Sequence, residues 1–260
     1  MIALAKNLYT HRELLYELTL SNLVARYKQS ILGVAWAVLQ PLALMVVSLF
    51  IFSHLAKFPS DNFPYPIFVY TALIAWTLLS SSLSLAVPSL VTGVALLRKV
   101  YFPREIFVII NILIALVDFA IAAVLLLVML VYFRISPTLA LLSLPLVLFI
   151  QLMLITGLSL IGSIVNAAFR DIARALPILL QVWMLASPVF YPMSMVPQQW
   201  RGWYALNPMV GIVEGYRYAW LGGAPPPVGP LAVSLVESVL IFAIAYTFFR
   251  RGEEVISDIV

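Results

Sequence analysis

The chain has 260 residues, of which 63% are hydrophobic and only 10% are charged, and its mean hydropathy is +1.06. Soluble domains are about half apolar and about a quarter charged, so this composition excludes a water-soluble domain and indicates a protein that lies in a bilayer. The net charge of +4 is spread over few ionisable groups and forms no basic stripe, so we expect no nucleic-acid partner. The chain has no cysteine and only two histidines, which excludes disulfides and leaves no ligand set for a metal centre.

Residues 1–29 are predicted to form a cytoplasmic segment that lies along the membrane without crossing it. Charged residues recur every few positions between 6 and 28, so no apolar stretch there is long enough to span. On a helix the charged residues Glu13, Glu17 and Lys28 lie on one side, and a leucine cluster lies on another: Leu8, Leu14, Leu15 and Leu18. This amphipathic interface helix is either a simple surface anchor or a platform for a cytoplasmic partner.

Residues 30–260 are predicted to form a transmembrane domain of six helices. Each long apolar stretch is near the ~20 residues that a helix needs to cross about 30 Å of hydrocarbon. Alternation of period two is absent, which favours a helical bundle over a barrel. The predicted spans are 31–56, 67–92, 106–133, 139–166, 175–196 and 231–249. The fold class is therefore an all-α membrane protein.

Positive charge predicts the orientation, since Lys and Arg are retained on the cytoplasmic side during insertion. With the N-terminus inside, eleven of the fifteen Lys and Arg residues lie in the cytoplasm. The four outside are Lys57, Arg134, Arg201 and Arg217. We therefore expect a multi-pass protein with both termini in the cytoplasm.

The connection between the second and third spans combines an apolar plug, a proline and two opposite charges. Its residues are Tyr101, Phe102, Pro103, Arg104 and Glu105. Such a segment can dock in the cleft of a partner and transmit motion, although an ordinary turn whose charges set topology is the alternative. Arg170 and Asp171, between the fourth and fifth spans, are a weaker candidate for partner contact, because an exposed ion pair contributes only about 0–1 kcal/mol.

The stretch from 197 to 223 is rich in tryptophan and tyrosine and lies outside in this topology. Apolar turns such as 209–213 are too short to span, so short re-entrant helices are expected, covered by protein or lining a water-filled cavity. The alternative is an aromatic belt at the membrane surface, which explains the same composition without a ligand.

Two features bear on the source of energy. No GxxxxGK[ST] phosphate loop occurs and no glycine is followed by lysine, so any ATP must be bound by another chain. Within the spans, Asp118 and Glu237 either take up a proton or face a polar pathway or partner helix. So small a number of carboxyl groups within the spans does not favour a proton relay.

Four ordered segments carry a resemblance along nearly the whole chain. They are RYKQSILGVAWAVLQPL from Arg26, LLRKVYFPRE at 96–105, RDIARALPILLQVWMLASPVFYPMSMVP at 170–197 and LNPMVGIVEGYRYAWLGG at 206–223. Together they resemble the ABC-2 type permeases that export polysaccharides, namely the O-antigen, capsule and teichoic-acid exporters.

The resemblance implies a homodimer of six-helix subunits with two ATPase subunits below it, in the bacterial inner membrane. The dimer would form a channel for a lipid-linked glycan and contact membrane lipid, and the ATPase subunits would bind ATP and Mg²⁺. This chain is then no enzyme and needs no cofactor of its own. The 101–105 segment becomes the ATPase coupling site and Arg170 with Asp171 a secondary one.

Two further groups of residues follow from that interpretation. A sliding glycan favours aromatic walls, which suggests Trp76, Trp183, Phe190 and Tyr191 as channel lining. The aromatic outside stretch becomes an outer gate, with Trp203, Tyr204, Asn207, Pro208, Tyr216, Arg217 and Trp220. The alternatives are an ABC-2 exporter of drugs or small lipophilic molecules and, from another class, a proton-coupled secondary transporter. The residues do not distinguish one glycan from another.

Overall fold

The computed structural model describes residues 7–28, 30–93, 103–223, 225 and 228–259, with the side chains of the last helix described as far as 252. Within these ranges the secondary structure is helical and contains no strand. The helices are α1 Arg12–Lys28, α2 Trp36–Ser48, α3 Tyr65–Ala86, α4 Ser89–Thr92, α5 Glu105–Tyr132, α6 Leu144–Ala168, α7 Asp171–Leu185, α8 Gln198–Tyr204, α9 Pro208–Leu221 and α10 Val228–Ile259. A 3₁₀ turn, Gly33–Ala35, precedes α2, and a π-helical segment, Leu49–Leu55, extends it. The predicted all-α fold is confirmed.

Five helical stretches in the described part of the chain are long and apolar enough to cross a membrane. They contain between 23 and 30 residues each, which exceeds the ~20 that a span needs. They are Gly33–Leu55, Tyr65–Thr92, Glu105–Tyr132, Leu139–Ala168 and Val228–Gly252. These stretches correspond to the first four predicted spans and to the last one.

The predicted span 175–196 is not one continuous helix. Helix α7 has 15 residues and ends at Leu185, and an irregular turn at 186–191 follows it. At about 1.5 Å per residue, α7 is near 22 Å long, shorter than the hydrocarbon layer. Pro188 accounts for the early end, because the residue before a proline is disfavoured in the α conformation.

The N-terminal helix α1 packs on protein through its leucine face. Leu15 is buried against Ile106, Ile110 and Ile114 on the first half of α5. Further along both helices, Arg26 pairs with Asp118, so α1 and α5 run in the same direction. The predicted amphipathic helix therefore exists, and α5 covers the side on which its leucines cluster.

Helix α3 lies at the centre of the bundle. Almost all of its first half is buried, and it packs against α5, α6 and α9 in one continuous hydrophobic core. The first spanning stretch, Gly33–Leu55, is different, because only 11% of its apolar window is buried within the subunit. Its surface is therefore available to lipid or to another protein.

Close backbone contact in this core depends on two glycines. A Cβ at Gly157 would lie 2.9 Å from the backbone nitrogen of Phe242, where α6 crosses α10. A Cβ at Gly211 would overlap the carbonyl oxygen of Pro230, where α9 crosses α10. Both contacts are with backbone, which cannot move aside as a flexible side chain can.

We expect Gly211→Ala to destabilise the purified protein by about 1–3 kcal/mol, since the added methyl group forces α9 away from α10. The melting temperature in detergent measures this loss. Gly202→Ala is the matched control, because a Cβ there meets no atom within 4 Å. Equal melting temperatures for the two variants would contradict the close contact.

Candidate functional site

Glu105 joins three parts of the chain at one end of the bundle. Its carboxylate is fully buried at the first position of α5, where it also interacts favourably with the helix dipole. Asn7 Nδ2 donates a hydrogen bond to Glu105 Oε1 at 2.9 Å, and Arg250 Nη1 lies 3.9 Å from Glu105 Oε2. We call this end of the molecule the terminal end, because it holds both the N-terminal segment and the last helix.

The structure describes three of the five predicted coupling residues, Pro103, Arg104 and Glu105. Tyr101 and Phe102 lie outside the described residues. Pro103 and Arg104 are half-buried beside the buried Glu105. The Glu105 carboxylate is fully buried in this subunit, and the partners that the structure gives it are Asn7 and Arg250.

The weaker candidate pair lies on the surface. Arg170 and Asp171 are both exposed, and Asp171 pairs with Arg174 at 3.4 Å. Both side chains of this pair are almost fully exposed to solvent, so its own contribution to stability is small. Asn166 shapes the same connection, since its Oδ1 accepts a hydrogen bond from Ala173 N in the first turn of α7.

Asp118 lies inside α5 and has two partners from α1. Arg26 Nη1 is 3.1 Å from Asp118 Oδ2, and the hydroxyl of Tyr27 donates to Asp118 Oδ1. Burial and the bond to Asp118 raise the pKa of Tyr27 to about 12, so the phenol stays protonated and can donate. A cavity of about 280 Å³ opens beside this cluster, between α1, α2, α3 and α5.

The 186–191 turn after α7 is held by side chains from distant elements. Asn207 Nδ2 donates to Ala186 O at 3.1 Å, and Tyr65 Oη donates to Phe190 O at 3.0 Å. Arg217 donates to Val189 O at 3.0 Å and to Tyr191 O at 3.4 Å. Backbone carbonyls that are removed from water need such partners, and these four carbonyls have them.

Asn207 connects this turn to the start of α9. Its Oδ1 accepts from Met209 N at 3.0 Å, which caps α9 directly before Pro208 at the first helical position. The same oxygen accepts from Trp183 Nε1 at 2.9 Å, and the Asn207 amide donates to Ser187 Oγ. One side chain therefore fixes α7, the 186–191 turn and α9 relative to each other.

Arg217 is the most buried cation of this region, with 6% of its side chain exposed. Its Nη1 pairs with Glu214 Oε1 at 2.8 Å, and its guanidinium lies 3.7 Å from the ring centre of Phe68. Burial lowers the pKa of Arg217, and the neighbouring Glu214 opposes that shift. The guanidinium thus combines an ion pair, a cation–π contact and the carbonyl bonds to the turn.

The predicted lining residues are placed at different depths. Trp76 and Phe190 are buried in the subunit, with 4% and 5% exposed, whereas Trp183 and Tyr191 are partly exposed. Trp76 meets Trp183 edge to face at 5.8 Å, and Phe190 stacks on Phe52 at 5.0 Å. In this subunit they form part of the packing around the turn, and channel lining stays a prediction.

The predicted gate residues range from buried through half-buried to exposed. Tyr216 and Trp220 are buried in α9, and Tyr216 Oη donates to Gln151 Oε1 at 2.6 Å. Tyr204 is half-buried and its hydroxyl donates to the Tyr191 hydroxyl at 3.0 Å. Trp203 is 72% exposed, as an interfacial aromatic would be.

Sequence reasoning missed several residues that hold this arrangement. Glu214 carried a signal, because its spacing of three from Arg217 places the two charges on one helix face. Tyr27 lies in the first motif, but its partner Asp118 is 91 positions away. No local sequence pattern predicts the hydrogen bonds that Tyr65 and Asn7 make.

The long apolar helices are those of a multi-pass membrane protein. The chain belongs to the ABC-2 type transporter family, which it matches over residues 13–221. It is 32% identical to the O-antigen export system permease protein RfbA of Myxococcus xanthus over 98% of both chains.

Two other relatives show the same likeness. The chain is 26% identical to an O-antigen export system permease protein RfbA of Klebsiella pneumoniae over 81% of each chain. It is 25% identical to the polysialic acid transport protein KpsM of Escherichia coli over 91% of this chain and 92% of that protein. The resemblance inferred from the four motifs is therefore confirmed.

Proposed function

We propose that this chain is the permease subunit of an ATP-driven exporter that moves a lipid-linked polysaccharide across the bacterial inner membrane. Two copies would form the path, and two separate ATPase subunits would supply the energy. The observation that carries the proposal is the alignment over 98% of both chains with a protein named as an O-antigen export permease. The absence of a phosphate-binding loop agrees with ATP hydrolysis by a partner.

Six membrane crossings are part of this proposal. Asn7 and Arg250 both approach Glu105, so the chain begins and ends at the same end of the bundle. An even number of crossings fits that arrangement, and five helices in the described part of the chain are long enough to span. Helix α7 together with the 186–191 turn supplies the sixth, and α8 and α9 return towards the outer side as short re-entrant helices.

The positive-inside rule assigns the terminal end to the cytoplasm. The segment Tyr101 to Arg104 then faces the ATPase subunits, and α1 presents its charged side beside it. Glu105 carries motion from this segment into the bundle through Asn7 and Arg250. Arg170 and Asp171 are exposed at a second cytoplasmic connection and form an additional contact.

The outer gate in this proposal is one hydrogen-bonded unit. The bonds from Asn207 and Arg217 tie the 186–191 turn to α9, so the turn and α9 move together. Trp183 and Tyr191 belong to the same unit, where they reach the glycan path when the gate opens. This unit would close the channel until polymer arrives.

Asp118 does not favour the proton-coupled alternative. A carboxyl group that carries protons through a membrane must change its charge during each cycle. Asp118 is instead held within the subunit by an ion pair with Arg26 and a hydrogen bond from Tyr27, both on α1. The cluster therefore suits a fixed link between α1 and α5.

Deleting this chain from its native host is expected to remove the surface polysaccharide and to leave lipid-linked glycan inside the cell. A plasmid copy should restore export only when the partner ATPase is catalytically intact. Glycan staining of whole cells and extraction of the lipid-linked pool measure both effects. Unchanged surface glycan with altered drug sensitivity would favour the small-molecule exporter, and rescue alongside an inactive ATPase would favour proton coupling.

A further inference from the structure

A cavity of about 510 Å³ lies between α9 and the turn that precedes α3. This volume is within the ~300–1,000 Å³ of small-molecule sites. Its polar lining comes from two sides of the cavity: Asp61 and Asn62 from the turn, and Glu214, Arg217 and Tyr218 from α9. Arg217 and Glu214 already have roles in the fold and in the proposed gate, whereas Asp61, Asn62 and Tyr218 have no role in either.

Arg217 contributes a buried guanidinium to the wall of this cavity. Its side chain is 6% exposed, and its Nε has no hydrogen-bond partner among the residues that the structure describes. Leaving a buried donor unpaired costs about 1–3 kcal/mol. Because Arg217 Nε is itself buried away from solvent, the guanidinium acts on this cavity through its charge.

The charges on the wall limit which ligands fit. Asp61 and Glu214 repel a phosphate or another anion, and Asp61 already accepts a bond from Ser194 Oγ at 3.2 Å. Arg217 repels a metal ion or an amine and neutralises Glu214 at 2.8 Å. The set fits a neutral ligand whose groups both donate and accept hydrogen bonds, and hydroxyl groups do this.

Aromatic rings complete the wall. Phe63 and Tyr218 line the cavity, and Phe68 lies beneath the Arg217 guanidinium at 3.7 Å. Ring faces pack against the C–H faces of a cyclic polyol, while carboxylates and amides bind its hydroxyls. Carbohydrate is the ligand class that presents both surfaces at once.

We propose that this cavity binds a short uncharged segment of the exported glycan beside the outer gate. The assignment rests on the proposed export function and adds a fixed sugar site to it. Asp61 accepts hydrogen bonds from sugar hydroxyl groups, and Phe63 contacts the ring face. Occupation of the cavity places polymer directly against the α9 charge pair that holds the 186–191 turn.

The test uses the full permease with its ATPase, purified in a detergent without a sugar head group. Saturation-transfer NMR is recorded with methyl glycosides of mannose, rhamnose, galactose and N-acetylglucosamine. We expect transfer to at least one glycoside. We also expect Asp61→Asn combined with Phe63→Ala to weaken its binding roughly tenfold or more, the loss of a charged hydrogen bond and a ring contact.

Arg134→Gln is the matched control, since Arg134 is an exposed charge on another connection that does not line the cavity. This variant should bind as the native protein does. No transfer to any of the four glycosides, equal binding by the double variant, or binding that EDTA abolishes would each overturn the proposal. Because binding is measured without transport, such a result leaves the export function to be judged separately by the deletion experiment.

Discussion

Replacing Arg217 by methionine is expected to destabilise the permease by about 3–5 kcal/mol, the usual loss when one partner of a buried ion pair is removed. The substitution leaves the Glu214 carboxylate without its partner at 2.8 Å and removes the donor from Val189 O and Tyr191 O. The melting temperature of the purified protein should fall by several degrees. Export of surface glycan in the complemented deletion host should be lost.

Arg201→Met is the matched control for this effect. Arg201 also donates to two backbone carbonyls, those of Val196 and Ser194, but it is only half-buried and has no buried acid beside it. We expect only a small change there. Adding Glu214→Gln to the Arg217→Met variant should recover part of the stability, because it removes the unpaired charge. An Arg217→Met protein with native stability and export would contradict the proposed gate unit.

Replacing Glu105 by alanine is expected to uncouple ATP hydrolysis from export. The fully buried carboxylate is what joins Asn7 of the N-terminal segment and Arg250 of α10 to the start of α5. Without it, the ATPase subunits still dock and turn over, but motion of the 101–104 segment no longer reaches the bundle. Export should fall roughly tenfold or more at similar ATPase activity, a loss within the usual range of coupling free energies.

Arg250→Gln and Arg251→Gln make a matched pair for this prediction. Both arginines are exposed, but Arg250 lies 3.9 Å from Glu105 Oε2, and Arg251 is the next residue along the same helix. Only Arg250→Gln should reduce export per ATP hydrolysed, and the Glu105 and Arg250 effects should not add. Proteoliposomes containing the complex measure both rates together. Parallel loss of ATPase activity and export would indicate failed docking instead of failed transmission.

The sequence predicts the spanning helices well because length and hydropathy alone determine whether a segment lies in lipid. Five predicted spans correspond to long helices for this reason. The segment 175–196 is also apolar, yet its helix ends at Leu185. The turn that follows requires side chains that satisfy its carbonyls, and Tyr65 and Arg217 lie far away in the chain.

The candidate site, too, could be predicted only in part from the sequence. Glu105 is identified from the chain as part of a cytoplasmic connection, but its burial depends on Asn7 and Arg250, which no local pattern relates to it. Arg217 is recognised as an outer residue, whereas its ion pair with Glu214 was missed although the spacing of three residues is a signal for it. Its place over Phe68 follows only from how α3 and α9 pack.

The bonds at the 186–191 turn also bear on how the chain is made. Tyr65 is synthesised before the turn, but Asn207 and Arg217 leave the ribosome after it. Until α9 has been translated, the carbonyls of Ala186, Val189 and Tyr191 lack their side-chain donors, which is costly in lipid. The insertion machinery must therefore shelter α7 until synthesis has passed Arg217. Chains truncated before Pro208 should be recognised as unfinished and degraded by membrane proteases.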